Sequence, residues 1–187
     1  YYWKGGDEKI LRLVAVLAIA FITIAVPIQF DGYRVTILWF MEALVLFSAG
    51  RILKAHFYEF VAYPIIILGL YSLMEDWKLA YAEFSSFENE AVYNLFFNIT
   101  FLEGLIVIIC LGIANYIYFQ PRFPSMKNID VTFKNLMEIY LVGALVFVLY
   151  YTIRIEIAIG FNQLFIESKA LPFSGTDSSL TEVADQD

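Results

Sequence analysis

Val35-Thr36-Ile37-Leu38-Trp39-Phe40-Met41-Glu42-Ala43-Leu44-Val45-Leu46-Phe47-Ser48-Ala49-Gly50 carries one ionisable side chain, Glu42, near the middle of an otherwise oily run. The apolar residues are continuous. They therefore read as a helix and not as a strand of a membrane barrel, which would alternate every second residue and need only about ten. From Tyr33 to Gly50 the run approaches the roughly 20 residues that a helix needs to cross about 30 Å of hydrocarbon. A carboxylic acid in that setting costs on the order of 3 kcal/mol, so Glu42 is paired, protonated and hydrogen-bonded, or functional.

The rest of the chain is of the same kind. Its 187 residues are 60% hydrophobic and 18% aromatic, and a mean hydropathy of +0.69 is too high for a soluble domain. The reading is all-α, an integral membrane helical bundle of about five transmembrane helices. Spans are expected over residues 10–30, 33–50, 57–73, 93–119 and 135–161. Residues 1–161 then form a transmembrane module, and 162–187 a polar, acidic tail or truncated loop. Asp31-Gly32 predicts a tight hairpin between the first two spans. Gly50-Arg51 stops the second, and Pro64 should bend the third. From Glu75 to Glu90 the chain is acidic and aromatic, which predicts an outer loop with a short interfacial helix setting Trp77, Tyr81, Phe84 and Phe87 at the headgroup level. Ser48-Ala49-Gly50 and Gly112-Ile113-Ala114 are small-residue patches suited to close helix packing. The opening Tyr1-Tyr2-Trp3, with no Met and no signal-type segment before the first run, reads as an excerpt of something longer.

Several function classes lose ground at this level. Cys110 is the single cysteine and there is one histidine, so neither an intrachain disulfide nor a His/Cys zinc cluster is expected. Phosphate loops and nucleophile elbows are missing, and nothing calls for a cofactor. A net charge of −7 opposes nucleic acid. The partners expected are the lipid bilayer and either the remaining spans of a longer parent chain or other membrane subunits. Lys4, Lys9, Arg12, Arg51, Lys54, Arg122, Lys127 and Lys134 fall on the side of the N-terminus, against Arg34, Lys78, Arg154 and Lys169 on the other. The positive-inside rule then puts the N-terminus in the cytoplasm and the C-terminal tail outside.

Ile24-Ala25-Val26-Pro27-Ile28-Gln29-Phe30-Asp31-Gly32-Tyr33-Arg34, followed by Trp39, Glu42-Ala43-Leu44 and Gly50-Arg51, resembles a known pattern. It is similar to the large bacterial "predicted membrane protein" family defined by a domain of unknown function, with its Pro-x-x-x-Asp-Gly turn and Trp-x-x-Glu-Ala helix. Asn98-Ile99-Thr100-Phe101-Leu102 resembles a second element of that family. The resemblance covers most of residues 10–160. It implies one module of a many-spanning protein of the bacterial inner membrane and brings no activity with it.

The charged residues inside the spans are the candidate site: Glu42, Glu103, Arg154 and Glu156. Counted from Tyr33, Glu42 lies roughly 13 Å deep, and Glu103, counted from Tyr93, roughly 15 Å. Two acids at similar depth would make a protonatable pair near the midplane, where transporters place substrate and ions. The alternative is that each is a neutral, hydrogen-bonded structural acid between helices. Arg154 and Glu156 are two residues apart and point to different helix faces, so each needs a partner elsewhere. His56 and Glu59 share a face at the rim of the third span. The leading reading is a structural or transport-linked module without chemistry of its own, in which Glu42 would take and release a proton. The alternatives are a membrane enzyme acting on a lipid-linked envelope substrate through Glu75, Asp76, Glu88 or Glu90, or an envelope scaffold.

Overall fold

A computed structural model of the chain describes residues 2–85, 97–123 and 131–170. The described residues form five helices and no strand: α1 (Tyr2–Gln29), α2 (Tyr33–Ile52), α3 (His56–Ser85), α4 (Ile99–Phe119) and α5 (Val131–Ala170). Four of them contain segments long and apolar enough to cross a bilayer, Tyr33–Ile52, Phe57–Ala82, Ile99–Phe119 and Lys134–Phe165. The span expected at residues 10–30 corresponds to a shorter apolar stretch of α1, Leu13–Gln29.

Three boundaries differ from the sequence expectation. Helix α3 does not stop at residue 73 but runs on to Ser85, absorbing the first part of the expected outer loop. No glycine or proline follows Gly69 in that stretch, and Asp76 is drawn against α2 instead of into a turn. The expected interfacial helix is thus a continuation of α3 as far as Ser85, and the remainder of that loop, Phe87, Glu88 and Glu90 included, lies outside the described residues. Helix α4 begins at Ile99, not near residue 93, because the Asn98 side chain accepts the Phe101 N–H at 2.7 Å and caps the helix there. Helix α5 has 40 residues and continues through the start of the expected tail to Ala170. Gly160, at the expected end, does not stop the helix, and neither glycine nor proline follows it before Ala170. The expected tail beyond Ala170 lies outside the described residues.

The helices form an antiparallel bundle in which α2 packs most extensively on α3, then on α4, while α5 rests mainly on α4 and α1 lies lightly against α2. Gly32 turns α1 into α2 at φ 57, a conformation that favours glycine. The turn from α2 to α3 uses Lys54 at φ 55. Two ends can be told apart, one at the Gly32 turn and one at Arg51. Gly50 fulfils its small-residue role, since a Cβ there would stand 2.5 Å from the Glu59 backbone nitrogen. Gly112 does not, for a Cβ there would meet nothing within 4 Å.

Burial mixes apolar and charged side chains. Phe40, Phe47, Leu73, Val107, Leu111, Leu141 and Val148 make the core, but so do Arg51, Glu59, Glu103, Asn115 and Glu156. The outer surface carries Val45, Ile67, Ile109, Ile113, Val146 and Ile157. Water would disfavour so apolar an exterior, whereas a bilayer accepts it and forces polar groups to find one another.

Candidate functional site

At the Gly32 end three helices converge on a group of oxygens. Thr36 stands in the first turn of α2, Ser72 and Asp76 lie one turn apart on α3, and Glu103 is four residues into α4. The Thr36 hydroxyl is 2.7 Å from Ser72 Oγ and 2.7 Å from Asp76 Oδ2. Having a single proton, it donates to the carboxyl and accepts from Ser72. Glu103 is 2% exposed, and its carboxyl faces that of Asp76. A carboxylate can only accept, so a hydrogen bond between two carboxyl groups requires a proton on one of them. Glu103 Oε1 has no hydrogen-bond partner among the described residues.

The neighbouring α4–α5 contact continues this polar layer. Asn98 donates from Nδ2 to Glu156 Oε1 at 2.6 Å while its side-chain oxygen caps α4. One amide therefore fixes the start of α4 and holds a buried acid of α5. Gly104 packs so closely on Thr152 that a Cβ would stand 2.5 Å from the hydroxyl. Arg154 does not turn inward. Its guanidinium lies over the Tyr151 ring at 5.6 Å, at the lip of a cleft between α3 and α5.

Glu42 has a different partner. Thr23 on α1 donates to Glu42 Oε1 at 2.9 Å, and the Trp39 indole donates to the Thr23 carbonyl at 3.0 Å. These contacts fasten α1 to α2. The four residues singled out from the sequence thus occupy four places, and Glu103 faces Asp76 rather than Glu42. With α4 starting at Ile99, Glu103 lies only about 6 Å along its helix, whereas Glu42 lies about 13 Å along α2. Of the outer-loop acids proposed for catalysis, Glu75 pairs with Lys78 at 2.7 Å and Asp76 belongs to the cluster above.

Sequence reasoning missed the ion pair at the other end. Arg51 Nε donates to Glu59 Oε1 at 2.8 Å, with both residues 2% exposed. Arg51 also donates to the Phe123 carbonyl at 3.0 Å and lies 4.4 Å over the Tyr118 ring. The signal for it was the short turn between α2 and α3, which brings positions eight apart into register. Asn115 reaches across from α4 to the Leu141 carbonyl at 3.1 Å, a further tie that no spacing announced.

Among the described residues no group of three or more His, Cys, Asp or Glu could hold a metal ion. At the Gly32 end Ser72, Thr36 and Asp76 form a short chain of hydrogen bonds. The chain matches no family model, no curated protein and no solved structure.

Proposed function

We propose that this chain is a multi-pass helical module of a bacterial inner-membrane protein, transport-linked, in which the Asp76–Glu103 pair binds and releases a proton. The observation that carries the reading is a buried Glu103 carboxyl facing Asp76, which is itself bonded to the Thr36 hydroxyl and through it to Ser72, where three helices meet. A shared proton there couples charge to helix packing, because its loss leaves two anions in contact in a medium of low dielectric. Repulsion would then act on α3 against α4. The unpartnered Glu103 Oε1 is where a further donor can enter. The eight-to-four distribution of Lys and Arg supports an N-terminus in the cytoplasm, with the proton site at the opposite face. The resemblance of the first hairpin to a many-spanning family supports the view that further spans of a parent chain complete the pathway.

The test is infrared difference spectroscopy of the protein in vesicles on a pH jump. Protonated-carboxyl bands should respond in the native protein and disappear in both Glu103→Gln and Asp76→Asn, with helix content unchanged. Carboxyl bands that persist in the double variant would refute the assignment.

A further inference from the structure

A second feature lies on the neighbouring face of α3. A cleft of about 700 Å³ opens between α3 and α5, walled by Trp77, Tyr81, Phe147 and Tyr151 and edged by Lys78 and Arg154. Trp77 and Tyr151 are stacked, with ring centroids 5.6 Å apart and planes inclined by 12°. Two hydrogen-bond donors here lack an acceptor among the described residues. The Trp77 indole Nε1 is buried without a partner, though the residue is only 5% exposed. The Arg154 guanidinium has nothing but the face of Tyr151. Lys78 is shared with Glu75. A buried donor without an acceptor costs roughly 1–3 kcal/mol, whereas the exposed Arg154 is open to a ligand. A ligand that brings anionic oxygens would pair the guanidinium of Arg154.

The depth of the cations says what kind of ligand this is. Lys78 lies 21 residues from Phe57, where the apolar segment of α3 begins, and Arg154 lies 20 residues from Lys134, where that of α5 begins. At about 1.5 Å per residue each distance is about 30 Å, the thickness of the hydrocarbon. Both cations therefore stand at one headgroup level, while Phe147 and Tyr151 extend the cleft on the side of the acyl chains. We propose that the cleft binds an anionic phospholipid, its phosphate held by Arg154 with Lys78 and its chain laid along the aromatic wall. The site is independent of the proton reading, since its donors are not those of the Asp76–Glu103 pair.

Trp77 supplies its own reporter. The full chain would be reconstituted in phosphatidylcholine vesicles containing a small fraction of phosphatidylglycerol with brominated chains, or the same fraction of brominated phosphatidylcholine, and tryptophan quenching compared. The expected result is excess quenching by the anionic lipid, lost in Trp77→Phe, which removes the reporter, and in Arg154→Gln, which removes the phosphate ligand. Lys78→Gln should reduce it. Equal quenching by the two lipids, an excess that survives Trp77→Phe, or one that survives the Arg154→Gln/Lys78→Gln pair would overturn the proposal. So would complete reversal by inorganic phosphate, which would mark a site for a free anion.

Discussion

Single residues here are constrained by what they touch across helices. Glu59 and Arg51 are the sharpest case, since a buried ion pair gains little net stability but its disruption leaves a bare charge. Glu59→Ala should therefore destabilise the bundle by about 3–5 kcal/mol, and replacing both members, Arg51→Met with Glu59→Leu, should recover most of that loss. Unfolding in mixed micelles as a double-mutant cycle would show whether the recovery occurs. Gly50 sits against the same turn. Gly50→Ala drives a methyl into the Glu59 backbone, which cannot yield like a flexible side chain, so a loss of about 1–3 kcal/mol is expected by the same measurement. Chemistry at this scale was half legible. That Glu42 must find a partner followed from its place in an apolar run, and Thr23 is that partner. That Glu103 would meet Asp76 did not follow, because a rotation of either helix by one residue points its acid elsewhere.

Whole helices were easier to foresee than their ends. The apolar runs from Tyr33, Phe57 and the fourth and fifth spans stood out because a bilayer demands length and oiliness, two properties read directly from sequence. The ends depend on caps and on single polar contacts. Asn98 illustrates this, for its amide both starts α4 and binds Glu156. Asn98→Ala should cost at least the roughly 0.5–2 kcal/mol of a lost cap and raise amide exchange in the first turn of α4. Unchanged exchange there would show that the cap is dispensable. Lys54 holds a left-handed conformation without being glycine, at roughly 1–2 kcal/mol. Lys54→Gly should remove part of that strain, and a small rise in the unfolding midpoint is the expected result. Trp39 ties α1 to its neighbour through the Thr23 carbonyl. Trp39→Phe should speed exchange in α1 and leave α4 as it was.

Over the whole molecule, apolar residues fill the core and also cover the outward faces, and a few charged residues are buried between helices. The core and the outward faces are both apolar, so composition alone could not tell which side of a helix faces its neighbours. Only the polar residues mark the inner faces, as Thr36, Arg51, Glu103, Asn115 and Glu156 do. Solubility in detergent should consequently be lost before helicity when lipid is stripped away. The pairing of Arg51 with Glu59 also bears on biosynthesis. The two residues are separated by one short turn, so their charges can meet as soon as the second helix has been translated. Neither of these two charges then has to wait at the membrane rim without its counter-ion. Helices α2 and α3 are expected to leave the translocon together, as a preassembled hairpin onto which α4 is later laid.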